Sequence, residues 1–252
     1  MKSFHSIVIT GASSGIGEGL ALDYATTGVR LALGGRDEAR LQAVAAACRA
    51  RGAEVEAQTI DVADREAMAT WLRDQDAAKP VDLILANAGI SIEKGKGQAI
   101  DEERTRRTFE VNVEGTFNTV FPLLEAMRAR RQGQIGIVAS LAGFIGLPRA
   151  AAYNASKSAM RVWGESIRHQ LRRDNVGVSV ICPGFVESRI TVGNDFPMPF
   201  LMNAERASAI IRRGLAHDRA RIAFPIGTKA AIWLAATLPG NTTDWLLGRF
   251  SR

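Results

Sequence analysis

Ser140, Tyr153 and Lys157 are the residues of this chain whose types and spacing best suit chemistry. A phenol has an ordinary pKa of ~10, so at neutral pH it is a weak acid and a poor base. Lys157 follows Tyr153 by four residues, one turn along the same face of a helix, and the composition of Ala151 to Leu171 predicts that helix. A positive charge ~4 Å away is worth about 4 kcal/mol at an effective dielectric of 20. With ~1.4 kcal/mol per pKa unit, the lysine is expected to bring the tyrosine down toward the operating pH, where acid–base work is efficient. Ser140 stands thirteen positions before Tyr153, at the end of an expected strand, where its hydroxyl could meet the same substrate oxygen. Taken alone, Tyr153 and Lys157 are equally compatible with an amphipathic surface pair.

A second constellation lies near the start, in Thr10-Gly11-Ala12-Ser13-Ser14-Gly15-Ile16-Gly17. The apolar run Ile7 to Ile9 before it predicts a strand, and Leu20, Leu22 and Ala25 recur after it at helical spacing. The glycines therefore fall at a strand-to-helix turn. Gly11 allows the turn, Gly15 allows close backbone approach to a ligand, and Gly17 has no side chain to hold the helix off the sheet. A helix N-terminus placed there offers unpaired N–H groups and partial positive charge to a pyrophosphate.

The rest of the chain must hold these two groups together. Further strands are expected at Leu31–Leu33, Glu54–Ile60, Val81–Leu85, Gln134–Ala139 and Gly177–Ile181, with helical periodicity between them. Alternation of this kind predicts a parallel sheet covered by helices on both faces, with ligands at the carboxyl ends of the strands. The strands are expected to be apolar on both faces. With 252 residues, 46% of them hydrophobic, and no linker-like tract, a single α/β domain over 1–252 is the simplest organisation.

Composition excludes several functions. The first apolar strand begins at Ile7, no apolar run approaches the ~18 residues of a membrane span, and a soluble, cytoplasmic protein is expected. Cys48 and Cys182 suggest reduced core thiols, and His5, His169 and His217 lack metal-ligand spacing. The net charge of +6 draws on arginine clusters at Arg104, Arg106 and Arg107, at Arg128, Arg130 and Arg131, and at Arg168, Arg172 and Arg173. No aromatic residues interleave with them, so solvated helix faces are expected rather than a nucleic-acid footprint.

The ordered set Thr10-Gly11-x-x-x-Gly15-Ile16-Gly17, Asp61-Val62, Asn87-Ala88-Gly89, Asn112, Ser140, Tyr153-x-x-x-Lys157 and Pro183-Gly184 resembles the classical branch of the short-chain dehydrogenase/reductase family, from Thr10 to about Ser188. The resemblance implies an α/β, doubly wound, Rossmann-like parallel sheet and an oxidoreductase moving hydride between a nicotinamide cofactor and a carbonyl or secondary alcohol. It implies that Tyr153 is the acid or base, that Lys157 binds the nicotinamide ribose and lowers the tyrosine pKa, and that Ser140 positions the substrate oxygen. Asn112 would hold a water linking Lys157 to solvent. Gly11, Ser13, Ser14, Gly15, Ile16 and Gly17 would cradle the pyrophosphate, Asp61 and Val62 would flank the adenine, and Asn87, Ala88 and Gly89 would continue the cofactor floor. Pro183, Gly184, Val186 and Ser188 would orient the carboxamide, with serine at 188 where the family usually has threonine. Relatives form dimers or tetramers through the helices containing Asn112 and Tyr153, so a homodimer or homotetramer is expected by resemblance.

Cofactor choice rests on the end of the second strand, where an NAD-binding sheet places a carboxylate. Gly35 stands there and Arg36 follows, a pairing suited to the 2′-phosphate of NADP(H) rather than to NAD(H). Asp37 fits better as the next helix's N-cap. The apolar residues Phe196, Met198, Phe200, Leu201 and Met202, set among prolines, predict a mobile substrate loop over 189–203, with Phe144, Ile145 and Leu147 adding apolar surface and Glu93, Lys94 and Lys96 adding charge. A hydrophobic small-molecule substrate follows. The extension 226–252, with Ile232, Trp233, Leu234, Leu238, Trp245, Leu246, Leu247 and Phe250, is expected to pack on the body or a second subunit in preference to a lipid surface. Two other functions compete: a cofactor-sensing regulator, which has no need of Ser140, Asn112, Tyr153 and Lys157 together, and a peripheral-membrane adaptor resting on the extension alone.

Overall fold

Seven parallel strands run through the computed structural model, which describes residues 1–92, 100–148, 150–192 and 198–248. The strands are β1 (Ser6–Thr10), β2 (Arg30–Gly35), β3 (Glu54–Thr59), β4 (Leu83–Ala86), β5 (Gly133–Val138), β6 (Val176–Pro183) and β7 (Arg221–Phe224), in spatial order β3-β2-β1-β4-β5-β6-β7. The helices are α1 (Gly15–Tyr24), α2 (Glu38–Ala50), α3 (Arg65–Ala78), α4 (Glu102–Phe109), α5 (Gly115–Ala129), α6 (Ala151–Leu171), α7 (Ala204–Ala216), α8 (Ile226–Thr237) and α9 (Gly240–Gly248). The strand order reverses between β1 and β4, and that switch point opens a crevice at the carboxyl ends of the strands.

Alternation along the strands sorts the core into two layers. Ile7, Ile9, Leu31, Leu33, Leu83 and Leu85 face α1, α2 and α7, while Val8, Ile84, Ile135 and Ile137 face the layer that includes Met68, Leu72, Leu123 and Met160. Each such side chain contributes about 1.5–3 kcal/mol on burial. The edge strand β3 departs from the expectation of strands apolar on both faces. Glu54, Glu56, Gln58 and Thr59 stay exposed, because only β2 pairs with it and solvent reaches its free edge.

The expected helix over 151–171 has those bounds in the structure. Asp37 caps α2 by accepting the Arg40 N–H at 3.0 Å. β7 and the break between α8 and α9 at Leu238-Pro239 were not foreseen. Several arginines expected to be solvated instead tie elements together: Arg128 pairs with Asp174 at 2.7 Å, Arg130 with Asp76 at 2.9 Å and Arg168 with Asp218 at 2.7 Å. No helix among the described residues is long and apolar enough to cross a membrane.

Candidate active site

The turn between β1 and α1 opens one end of a cleft of about 590 Å³. Gly11 and Gly15 have φ of +67° and +57°, values that a side chain disfavours. A Cβ on Gly17 would collide with the Gly11 carbonyl and the Asn87 amide, so this glycine closes the turn on itself. Ser14, at the N-cap of α1, makes no side-chain cap bond. The first N–H groups of α1 thus face the cleft in the arrangement that suits an anionic phosphate. Asn87 holds the turn from β4, its Nδ2 donating to the carbonyls of Thr10 at 2.9 Å and Gly11 at 3.1 Å.

At the end of β2, Gly35 and Arg36 border the same cleft, and Arg40, which the sequence reading did not single out for the site, joins them. The Asp37 carboxylate is committed to capping α2 and to an ion pair with Arg40 at 2.6 Å. Asp61, after β3, meets Arg36 at 3.8 Å and Arg107 at 2.7 Å. Burial alone would raise its carboxyl pKa, but the Ala63 N–H and the Arg107 and Arg36 guanidiniums hold it below the ordinary carboxylate value. Arg107 corrects the expectation of a solvated cluster at 104–107: α4 carries it across to the cleft rim, and its separation of 46 positions from Asp61 hid the contact.

The other end of the cleft holds the candidate chemistry. Ser140 lies just past β5, and its Oγ accepts the Ala142 N–H at 3.1 Å and lies 3.5 Å from the Pro183 carbonyl. It also hydrogen-bonds to Tyr153. Leu141–Phe144 form a short 3-10 turn seated on α6, where a Cβ on Gly143 would stand 2.7 Å from the Lys157 carbonyl carbon. That close approach sets Ser140 against Tyr153.

The expected lowering of the tyrosine pKa by Lys157 is not what the side chains do. Burial pushes the Tyr153 phenol above its ordinary value, and the Ser140 hydrogen bond offsets this only in part. Lys157 turns instead to the Val138 carbonyl, 2.8 Å away, with its Nζ 5.8 Å from the tyrosine ring centroid. Burial lowers the lysine itself to about 8. With the ammonium directed to that carbonyl, burial and the Ser140 hydrogen bond, rather than Lys157, set the direction of the phenol's shift.

Asn112 sits in one widened π turn, Glu110–Glu114, between α4 and α5, a feature associated with functional sites. Its Oδ1 accepts the Ile90 N–H at 2.8 Å, and its Nδ2 donates to the Ile90 carbonyl at 3.0 Å and to Ser156 Oγ at 2.9 Å. Both amide hydrogens are therefore committed, and the side chain locks α6 to the segment after β4. A Cβ on Gly89 would enter the gap between Asn112 Oδ1 and Lys157 Nζ, 3.2 Å from each.

Every residue expected at the site lines the cleft except Gly17 and Asn112, which lie behind its wall. Ile190, from the expected substrate loop, lines the cleft together with Ile90 and Ile92, which the sequence reading missed, and Phe144, Ile145 and Leu147 are not part of that lining. The Phe144 ring packs under the guanidiniums of Arg161 and Arg221, at 4.4 Å and 5.2 Å. Met202, expected in a substrate loop, is a core residue paired with Val186, whereas Phe200 stays exposed with φ +60°. Phe196, Pro197, Phe250 and the charged Glu93, Lys94 and Lys96 lie outside the described residues.

A doubly wound parallel sheet with a glycine cradle at its switch point defines a nucleotide-binding α/β protein. The family model of the short chain dehydrogenases matches residues 5–195, and the chain belongs to that oxidoreductase family. It is 39% identical over 243 residues to an uncharacterized oxidoreductase of Myxococcus xanthus, covering 96% of each chain. A short chain dehydrogenase/reductase of Burkholderia phymatum, solved in complex with NAD, matches with a TM-score of 0.84 and 26% identity over 98% of this chain and 97% of that one. A short-chain dehydrogenase of Sphingobium yanoikuyae in complex with NADPH shares the fold, with a TM-score of 0.82 at 24% identity over 97% and 95%.

Proposed function

We propose that the protein reduces a hydrophobic carbonyl compound with NADPH, Tyr153 serving as general acid. The observation that carries this reading is the convergence of Ser140, Tyr153 and Lys157 at one end of a cleft whose other end is the Gly11–Gly17 cradle. The cradle and the α1 N-terminus would hold the pyrophosphate, Asp61 and Val62 the adenine, and Lys157 the nicotinamide ribose. The reduced nicotinamide supplies a hydride when bound. Ser140 orients the substrate oxygen, and Tyr153, whose pKa lies above its ordinary value, keeps its proton at neutral pH and delivers it to that oxygen. A phenol that holds its proton suits reduction; alcohol oxidation needs it ionised and is favoured by alkaline pH. Ile90, Ile92 and Ile190 support an apolar substrate.

The NADP(H) preference is supported by Gly35 and Arg36, and by the commitment of Asp37 to capping α2. Binding of NADPH is expected to be at least about tenfold tighter than that of NADH, a difference of ~1.4 kcal/mol. A Cβ on Gly35 would make only ordinary contacts, 3.4 Å from Leu41 and Ser13, so aspartate fits there. Gly35→Asp with Arg36→Leu should reverse the order by adding a ribose-hydroxyl acceptor and removing the phosphate partner. Fluorescence titration of both cofactors checks it; equal affinities in the wild type remove the argument for NADP(H).

The same reading includes self-association through α5 and α6. Phe117, Phe121 and Trp163 form an aromatic cluster with centroids 4.8–5.7 Å apart, and Phe121 and the nearby Val162 are about half exposed.

A further inference from the structure

The C-terminal extension packs on the body along one side of α8, where Ile232 leans on the core, and leaves the other side uncovered. None of the residues of α8 is buried, although Ile226, Ile232, Trp233, Leu234 and four alanines leave Lys229 as its only charge. A helix that is apolar all round is ordinarily covered on every side. Here Ile226 is 82% exposed and Trp233 64%. Phe200 extends the same surface, since a Cβ on Gly227 would meet its ring at 3.0 Å, and Leu201 beside it is also exposed. Such a continuous apolar patch marks an interaction surface.

Charge indicates what covers it. Lys229 lies on α8 itself, and α8 packs against the Leu141–Phe144 turn, where the guanidiniums of Arg161 and Arg221 flank Phe144 and share the single carboxylate of Glu165, so that these groups carry positive charge in excess. A second copy bound through this face would bring two surfaces of the same sign together, as a two-fold contact requires. An anionic surface would be attracted. Ile232 already packs on the core, so an acyl layer would cover only the outward side of α8, which carries Ile226, Trp233 and Leu234. At ~1.5 Å per residue a helix of this length reaches about 18 Å, well short of the ~30 Å hydrocarbon core, so it would embed from one side only.

We infer that α8, with Phe200 and Leu201, is a docking surface for an anionic lipid bilayer. α8 leaves β7 beside the cleft: the Phe224 carbonyl accepts the Gly184 N–H at 2.7 Å, and Pro225 lies 3.0 Å from where a Cβ on Gly184 would be. Docking would therefore set the cleft next to the lipid. This holds whatever the cofactor or substrate.

Co-sedimentation of the full chain with vesicles of phosphatidylcholine, alone or mixed equally with phosphatidylglycerol, tests the inference at low and high salt. Partitioning onto the anionic vesicles should be about tenfold stronger or more, from ~1 kcal/mol per basic residue near the surface, and should fall at high salt. Brominated acyl chains should quench the wild-type fluorescence, less so in Trp233→Phe. Trp233→Glu with Leu234→Glu should reduce partitioning at least tenfold without lowering the melting temperature, because both side chains are exposed. Lys229→Glu, which keeps the apolar patch, should weaken binding to the anionic vesicles alone. The inference is overturned if the wild type ignores anionic vesicles at low salt, if the double variant still binds them, or if that variant abolishes self-association in lipid-free solution while vesicle binding is absent.

Discussion

Burial lowers the pKa of the Lys157 ammonium to about 8, although the Val138 carbonyl accepts its hydrogen bond. An unfolded lysine titrates near 10.5, so between about pH 8 and 10.5 the unfolded chain binds the extra proton. The penalty on the fold is complete below pH 8 and is relieved as pH rises through that window. The difference amounts to about 3 kcal/mol. Lys157→Met removes it but leaves the Val138 carbonyl without a partner, at ~1 kcal/mol. The expected outcome is a gain of about 2 kcal/mol at pH 7 that shrinks toward pH 10.5, measured by denaturant unfolding across pH, together with loss of activity. A variant destabilised at pH 7 would show that the ammonium supports the fold. Tyr153→Phe removes only a hydroxyl and should lower hydride transfer by orders of magnitude while cofactor affinity changes by less than about 1 kcal/mol. Near-normal carbonyl reduction by that variant would rule out the phenol as proton donor.

At the scale of elements, the site depends on how closely the turn after β5 seats on α6. Gly143 permits that seating, with its would-be Cβ 2.7–2.9 Å from backbone atoms of Lys157 and Ser158. Gly143→Ala must push the turn away, and Ser140 moves with it. We expect a fall of at least about tenfold in kcat, since small misplacements near reacting groups are costly, with cofactor affinity nearly unchanged because the cradle lies at the other end of the cleft. Wild-type kcat in the alanine variant would show that the turn has slack. Gly143 illustrates what the sequence leaves hidden. Motifs whose parts are neighbours along the chain, such as Gly11 to Gly17 and Tyr153 with Lys157, were legible because local geometry places them. The direction of the Lys157 side chain depends on β5, the Arg107–Asp61 pair spans α4 and the end of β3, and Met202 enters the core through a bridge to Val186. β7 is only four residues long, too short for its alternation of outward and buried positions to stand out as a strand. The π turn at Asn112 is a backbone irregularity that helix propensity alone does not encode.

For the whole molecule, the two apolar layers account for the interior but leave the aromatic face of α5 and α6 uncovered. Trp163 packs edge-on to Phe117 and Phe121, and Phe121 remains 53% exposed. A partly exposed aromatic cluster of this kind suits a self-complementary contact, in which each copy buries the other's rings. α5 and α6 also position Asn112 and Tyr153, so pairing through them would brace both helices from outside. The protein is therefore expected to sediment as a dimer or tetramer at micromolar concentration. Phe121→Arg places like charges opposite one another across a two-fold contact and should shift it toward monomer. Because Phe121 is half exposed within one chain, the isolated fold should lose little stability, whereas any stability owed to assembly should become independent of protein concentration. Sedimentation velocity and melting curves over a hundredfold range of concentration test both points. Unchanged mass in the variant would exclude this face, and a wild type that is monomeric throughout would exclude assembly under those conditions.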